Sequence, residues 1–371
     1  MPKQGRTLNE LAAELTRQSE EKRDFVANTE IVKMVTKADI ESPADIDTQI
    51  VFQPNGEELR MPIGDIAHGQ IAQRLGVPKR FYDRLRQDQP DMLAYNVSEL
   101  FRREPEQRML RTLDGRLRAF LSQAFRPLDN AELCEAILPA LAEIGGIEIM
   151  SCEVTERRLY IKFATTRLEM EAVGQTIRAG GMITNSEVGL GALHIVDWDL
   201  TVACLNGMTR EKVLTQAHIG RRTGIEGIDA SEFFKDDTRA ADDKALFLKV
   251  RDTITAMFSE ERFAKRIESL NTAADRKIEE PIAPAIIEVV NKKLSLADRN
   301  STGILRHLLQ SNDLNAYTLA NAVTRHSQDV DSYDNASEME TAGGKIIELS
   351  KNDWSALVKD ATTLHEQRSA A

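Results

Sequence analysis

The dipeptide Asp114-Gly115 constrains the fold more than any other short feature of the chain. It sits between Arg108–Leu113 and Arg116–Ser122, two segments of strand-forming composition. Asp-Gly readily adopts the two left-handed conformations of a two-residue hairpin turn, so an antiparallel pair is expected here. The expected register sets Leu113 against Arg116, Thr112 against Leu117, Arg111 against Arg118, Leu110 against Ala119 and Met109 against Phe120. One face then carries Leu110, Thr112, Leu117, Ala119 and Leu121, a core face. The other carries Arg111, Arg116 and Arg118 with Met109, Leu113 and Phe120.

Strand patterns continue beyond this hairpin. Ile149–Thr155 with Arg158–Thr165, then Thr176–Thr184 and Ala192–Leu205, read as strands, and 130–144 reads as an amphipathic helix stopped by Gly145-Gly146. Upstream, 46–62 reads as two short strands around Pro54, Asn55 and Gly56, followed by helices at 63–75, 79–88 and 91–103. Downstream, helices are expected at 244–270, 284–297, 302–310, 314–328 and 353–366. The stripe Phe247, Val250, Ile254, Met257 and Phe258 marks the buried side of the first of these. The expected fold class is α+β: a central antiparallel sheet of hairpins with a packed helix, followed by an all-helical C-terminal region. The expected domains are an N-terminal helical arm (1–28), an α+β core (29–225), an acidic linker (226–243) and a helical region (244–371). The arm is either solvated or docked on a neighbouring subunit.

Composition narrows the function classes. The 371 residues carry 48 Lys+Arg and 59 Asp+Glu, a net charge of −11, with 42% apolar residues, values of a globular chain. No apolar stretch reaches membrane-spanning length, and Met1 to Lys22 has no apolar run of a secretory leader, so a cytoplasmic protein with no membrane partner is expected. Cys134, Cys152 and Cys204 lack the spacing of a disulfide framework and read as inert core thiols. A phosphate-binding loop and a nucleophile elbow are absent, and Gly189-Leu-Gly191 precedes a strand rather than a helix, the wrong context for a dinucleotide fingerprint. The histidines His68, His194, His218, His307, His326 and His365 show no metal-ligand spacing on one helix. No catalytic residue, metal ligand or cofactor is therefore assigned.

The positive signal is local charge. Residues 101–130 hold seven arginines against four acids, +3 in an acidic chain; Arg126 extends the basic face of the hairpin. Residues 205–222 hold Arg210, Lys212, Arg221 and Arg222 against Glu211, with His218 among them. Guanidinium groups that hold phosphates, interleaved with a flat side chain such as Phe120, suit single-stranded nucleic acid. The competing reading is an internal network in which Glu104, Glu106 or a distant acid neutralises the arginines. The loop 185–191 places Glu187 in a glycine-bearing turn. Glu187 is a candidate base or metal ligand, and the glycines a means to positive φ.

Several segments together resemble a large family of phage- and plasmid-borne proteins: Ile71-Ala-Gln-Arg-Leu-Gly-Val-Pro78, Arg111–Ser122, Arg126-Pro-Leu-Asp-Asn130, Thr184–Leu193, Cys204-Leu-Asn-Gly-Met208 and Asn321-Ala-Val-Thr-Arg325. The resemblance spans roughly residues 60–330 and implies a context of mobile DNA, without an activity to carry over. At the level of fold the chain is also similar to single-strand annealing proteins of the RecT and lambda beta kind, which implies a basic groove and ring or filament homo-oligomers. The reading reached is a single-stranded-DNA-binding protein for ATP-independent annealing or strand protection. Its candidate contacts are Arg111, Arg116, Arg118, Phe120, Arg126, Arg210, Lys212, His218, Arg221 and Arg222. Two alternatives stay open. One is a nucleic-acid-processing enzyme using Glu187, Asp197 or Asp199 with Mg²⁺; the other is a factor that captures a host protein, with 226–243 as its lure.

Overall fold

The computed structural model describes residues 3–38, 46–54, 56–218 and 236–370. Its elements in chain order are α1 (Leu8–Glu21), β1 (Arg23–Asn28), β2 (Lys33–Ala38), β3 (Ile46–Phe52), β4 (Leu59–Pro62), α2 (Asp65–Arg74), α3 (Lys79–Asp88) and α4 (Pro90–Arg103). There follow β5 (Gln107–Leu113), β6 (Arg116–Ser122), α5 (Asn130–Ile144), β7 (Ile147–Val154), β8 (Leu159–Ala172), β9 (Gln175–Asn185), β10 (Leu193–Thr201) and β11 (Asn206–Gln216). The helical part comprises α6 (Asp236–Met257), α7 (Glu260–Ala274), α8 (Ala283–Leu294), α9 (Ser301–Leu309), α10 (Ala316–His326), α11 (Tyr333–Glu348) and α12 (Lys351–Ser369). The fold is α+β with antiparallel sheets and a helical C-terminal region. No helix among the described residues is long and apolar enough to cross a membrane.

The strands form three sheets, ordered β1-β5-β6, β2-β3-β4 and β11-β10-β9-β8-β7. The two small sheets share a core with α2, α3 and α4, built from Met34, Ile50, Phe52, Tyr82, Leu93, Phe101, Leu110, Leu117 and Phe120. The five-stranded meander presents Leu159, Ile161, Phe163, Ile183, Leu193 and Ile195 to Leu11 and Leu15 of α1, Leu133 and Ile137 of α5, and Val250 and Ile254 of α6. Side chains of the other parity (Tyr160, Met182, Val196, Trp198) pack with Tyr333 of α11. The far end of the meander, with Ile177, Ala179 and Met208, is buried under the α7–α12 helices.

Several expectations change. Of the expected arm 1–28, the described residues 3–28 are not free. A capping box between Thr7 and Glu10 starts α1, whose Leu11 and Leu15 are buried against its own chain. β1 then adds an edge strand to β5, pairing Asp24 with Arg111. The segment therefore docks intramolecularly, because burying two leucines and a strand edge outweighs solvation of its charges. The expected acidic linker is partly helix, since α6 begins at Asp236; residues 226–235 lie outside the described residues. The expected helix 244–270 breaks at Ser259, which caps α7 by accepting from the Arg262 amide. Cys204, expected in the core, is exposed, because it falls in the β10–β11 turn rather than in a strand.

Candidate nucleic-acid interface

The Asp114-Gly115 turn forms as the sequence dictates, with φ of 52° and 70° at its two residues. Leu113 faces Arg116 and Thr112 faces Leu117. A bulge follows, so that Arg111 faces Ala119 and Leu110 faces Phe120. The extra residue on β6 is Arg118, which relieves the expected like-charge pair. The bulge also shifts the phase of the strand. Phe120 joins the α2–α4 core, 2% exposed, stacked on Phe101 at a centroid distance of 5.3 Å, and cannot receive a base.

Arg111 and Arg118 both turn toward the 185–191 loop. The Arg111 side chain is fully buried. Its Nε donates to Asp24 at 2.9 Å, its Nη1 to the Glu187 carbonyl at 2.9 Å and its Nη2 to Asp129 Oδ1 at 2.8 Å. Arg118 Nη2 donates to Glu187 Oε2 at 2.7 Å. The other Glu187 oxygen accepts from the Asn130 amide at 2.7 Å, at the first turn of α5, where a helix favours an anion. Burial pushes the Asp129 carboxyl up, but Arg111 and Lys22 outweigh it and hold it below its ordinary value. Asn185 Nδ2 closes the junction by donating to Leu128 O and Asn130 Oδ1, both at 2.8 Å. The arginines expected to hold phosphate are thus neutralised by Asp24, Asp129 and Glu187, and the junction ties β5, β6, α5 and the β9–β10 loop together. Glu104 and Glu106, the nearby acids weighed for this role, meet Arg74 instead, and Glu106 also meets Arg108.

Arg210 is withdrawn as well. Its side chain is 3% exposed, with Nε 3.4 Å from Asp199 Oδ2, and its Nη2 donates to Ser269 Oγ. Asp197 pairs with Arg262 at 2.6 Å and with Arg266 at 3.3 Å. Asp199 also pairs with Arg266, at 3.0 Å. Burial pushes the Asp199 carboxyl up, against the pull of Arg266 and Arg210. Glu187, Asp197 and Asp199, the acids considered for Mg²⁺, each face a guanidinium. Arg116 is exposed at the hairpin turn and forms no ion pair among the described residues. Arg221 and Arg222 lie outside the described residues.

The remaining candidates do converge, around the rim of the 186–192 loop. The Arg126 amide donates to the His218 carbonyl at 3.0 Å. Phe125 stacks on the His218 ring at 5.3 Å and 24°. On the other flank, Arg158 Nη2 donates to Leu190 O at 2.6 Å, and a Cβ on Gly191 would stand 3.1 Å from that Nη2, so the glycine admits the guanidinium. Gly189 has the expected positive φ, 72°; Gly191 does not. His194, on β10, is half-buried, and its pKa falls to about 4: burial is the main cause, and Lys212, Arg158 and His218 add to it. Lys212 is exposed and forms no ion pair among the described residues. Arg126 lies 3.5 Å from Asp242. A cleft of about 150 Å³ runs between Arg126, Gln216, His218, Asp242 and Lys249. His218 is 8% exposed and its Nε2 has no hydrogen-bond partner among the described residues. Burial drives its pKa down.

Arg158, His194, Phe125 and Lys249 were not singled out from the sequence. Their only local signal is Arg157-Arg158 beside a turn, which an exposed hairpin tip explains equally well. Comparison of the chain with protein-family models, with curated proteins and with solved structures finds no match.

Proposed function

We propose that the chain binds single-stranded nucleic acid across the rim of the 186–192 loop, with Arg126, Arg158 and Lys212 holding phosphates and Phe125 offering its half-buried ring to a base. One observation carries the reading: three of the residues chosen from sequence, Arg126, Lys212 and His218, gather with Arg158 and His194 around this loop. Burial is the main cause of the low His194 pKa, and the positive charges of Lys212 and Arg158 add to it. A polyanion is the ligand such a field attracts, and a flexible single strand suits a curved rim better than a rigid duplex. Strand annealing or protection in a mobile-element setting, and assembly into a ring or filament, belong to the same proposal and rest on the resemblance of the quoted segments.

Fluorescence anisotropy with a labelled oligonucleotide tests it. Binding is expected at ~50 mM salt and weakens steeply by ~200 mM, with a slope of about −0.7 per phosphate neutralised. Arg126→Glu and Lys212→Glu each weaken binding and flatten the slope, whereas Arg116→Glu, at the distant hairpin turn, leaves both unchanged. Absence of binding at ~50 mM salt, or equal loss in all three variants, refutes the proposal. Light scattering with and without the oligonucleotide reads the assembly state in the same samples.

A further inference from the structure

The helical region brings together two histidines that the sequence keeps on separate helices. His307 lies in the last turn of α9 and His326 closes α10; Asp329 follows in a tight turn, its amide donating to the His326 carbonyl at 2.9 Å. His307 Nε2 is 2.8 Å from Asp329 Oδ2, and His326 Nδ1 is 3.5 Å from the same oxygen. One ligand atom from each residue lies within 4.8 Å of the other two. Ligand atoms around a tetrahedral cation at about 2.0–2.1 Å stand roughly 3.3 Å apart, so the two measured separations bracket that spacing.

A second observation is built into the backbone. Gly303 precedes His307 by one helical turn, and a Cβ there would lie 2.2 Å from His326 Cε1 and 2.5 Å from its Nδ1. The His326 ring occupies the space of the missing side chain, which brings it within 6.1 Å of the His307 ring, centroid to centroid. The two imidazole side chains are 10% and 14% exposed, and the carboxylate is 33% exposed. His307 also lines a polar cleft of about 620 Å³ together with Asn206, Tyr317, Asn321 and Arg325, so ligand positions left open by the protein have an approach from solvent.

The geometry points to a binding site for a zinc-class divalent cation, held by His307, His326 and Asp329 with one or more positions open toward the cleft. Two imidazoles and one carboxylate suit Zn²⁺ and Co²⁺ better than Mg²⁺ or Ca²⁺, which favour all-oxygen sets. Arg306 is the competitor. Its Nη2 lies 3.1 Å from Asp329 Oδ2 and 3.4 Å from His307 Nε2. The side chain is 61% exposed, so it can leave for solvent when a cation arrives. The site is on the opposite half of the chain from the nucleic-acid rim and does not depend on it.

Titration of the full, untagged chain with Co²⁺, followed by visible absorption and then by Zn²⁺ competition, tests the site. The expected result is one saturable Co²⁺ site displaced by Zn²⁺ and not by excess Mg²⁺. His307→Ala and His326→Ala each weaken it by at least ~100-fold, the upper end of what losing even an outer-shell partner costs. Arg306→Gln tightens it, since an exposed rival charge is removed without disturbing the helices; this variant keeps the test decisive if a histidine variant folds poorly. No saturation by millimolar Co²⁺, or saturation retained in both histidine variants, overturns the site.

Discussion

Lys162→Met is the substitution whose consequence is most fully set by its surroundings. Lys162 on β8 and Glu340 on α11 are 0% and 1% exposed, and Nζ lies 2.8 Å from Oε2. Trp198 Nε1 donates to that same oxygen at 3.2 Å, and Nζ stands 4.7 Å from the Tyr333 ring centroid. At an effective dielectric of ~20 the pair attracts by about 6 kcal/mol. Removing one partner strands the other charge, at a cost of about 3–5 kcal/mol. Lys162→Met and Glu340→Gln are therefore each expected to lose that amount. The double variant holds no buried charge and keeps an amide oxygen for Trp198, so it is expected to lose no more than ~2 kcal/mol. Trp198 and Trp354 are the two tryptophans of the chain. In a Trp354→Phe background, Trp198 fluorescence in urea reports unfolding at the pair itself. Single losses that add in the double variant would refute the argument, since they would show that the two side chains stabilise the fold independently.

Other outcomes follow from the same physics. His68 is fully buried between Thr48 and Tyr82, and burial, aided by Arg86, lowers its pKa to about 3. The unfolded chain binds this proton first, so the associated stability is complete above about pH 6.5 and is lost as pH falls toward 3, by up to ~5 kcal/mol. Urea midpoints from pH 7.5 to 4.5 are expected to fall less steeply in His68→Gln. Glu187→Ala strands Arg118 and the Asn130 amide and is expected to cost about 3–5 kcal/mol, read as a lowered urea midpoint. The His194 pKa, followed by NMR, is expected to rise from about 4 when an oligonucleotide offsets the field of Lys212 and Arg158. Thiol titration of the native chain is expected to modify Cys204 rapidly; burial pushes the Cys134 thiol up to about 12 and raises that of Cys152.

The parts of this architecture that can be read from sequence are those encoded locally. Asp114-Gly115 fixes a turn through its own backbone preferences, and the helices 65–74, 79–88 and 130–144 announce themselves by apolar period and stop residues. The arginine network is not local. The partners of Arg111 and Arg118 are at 24, 129 and 187, and the bulge that aims Arg118 carries no residue signature. β11 escapes because Arg210 and Lys212 interrupt its apolar alternation, their cost offset by a buried carboxylate in one case and by solvent in the other. α11 escapes because it carries Gly343-Gly344, and glycine is a poor helix former. Those glycines are required for contact: a Cβ on Gly344 would lie 1.7 Å from the Thr209 carbonyl oxygen, so the helix sits directly on β11. The two histidines of the proposed cation site lie on different helices, and only the α9–α10 packing reveals their proximity.

The docking of α1 has a consequence for how the protein is made. Leu11 and Leu15 find their cover on α5 and the meander, which leave the ribosome well after them. At ~5–20 residues per second, the gap of roughly 120–140 residues leaves the nascent amphipathic segment uncovered for on the order of ten seconds. Its charged neighbours Arg17, Glu20, Glu21 and Lys22 are the kind of residue that disfavours aggregation of an exposed apolar face.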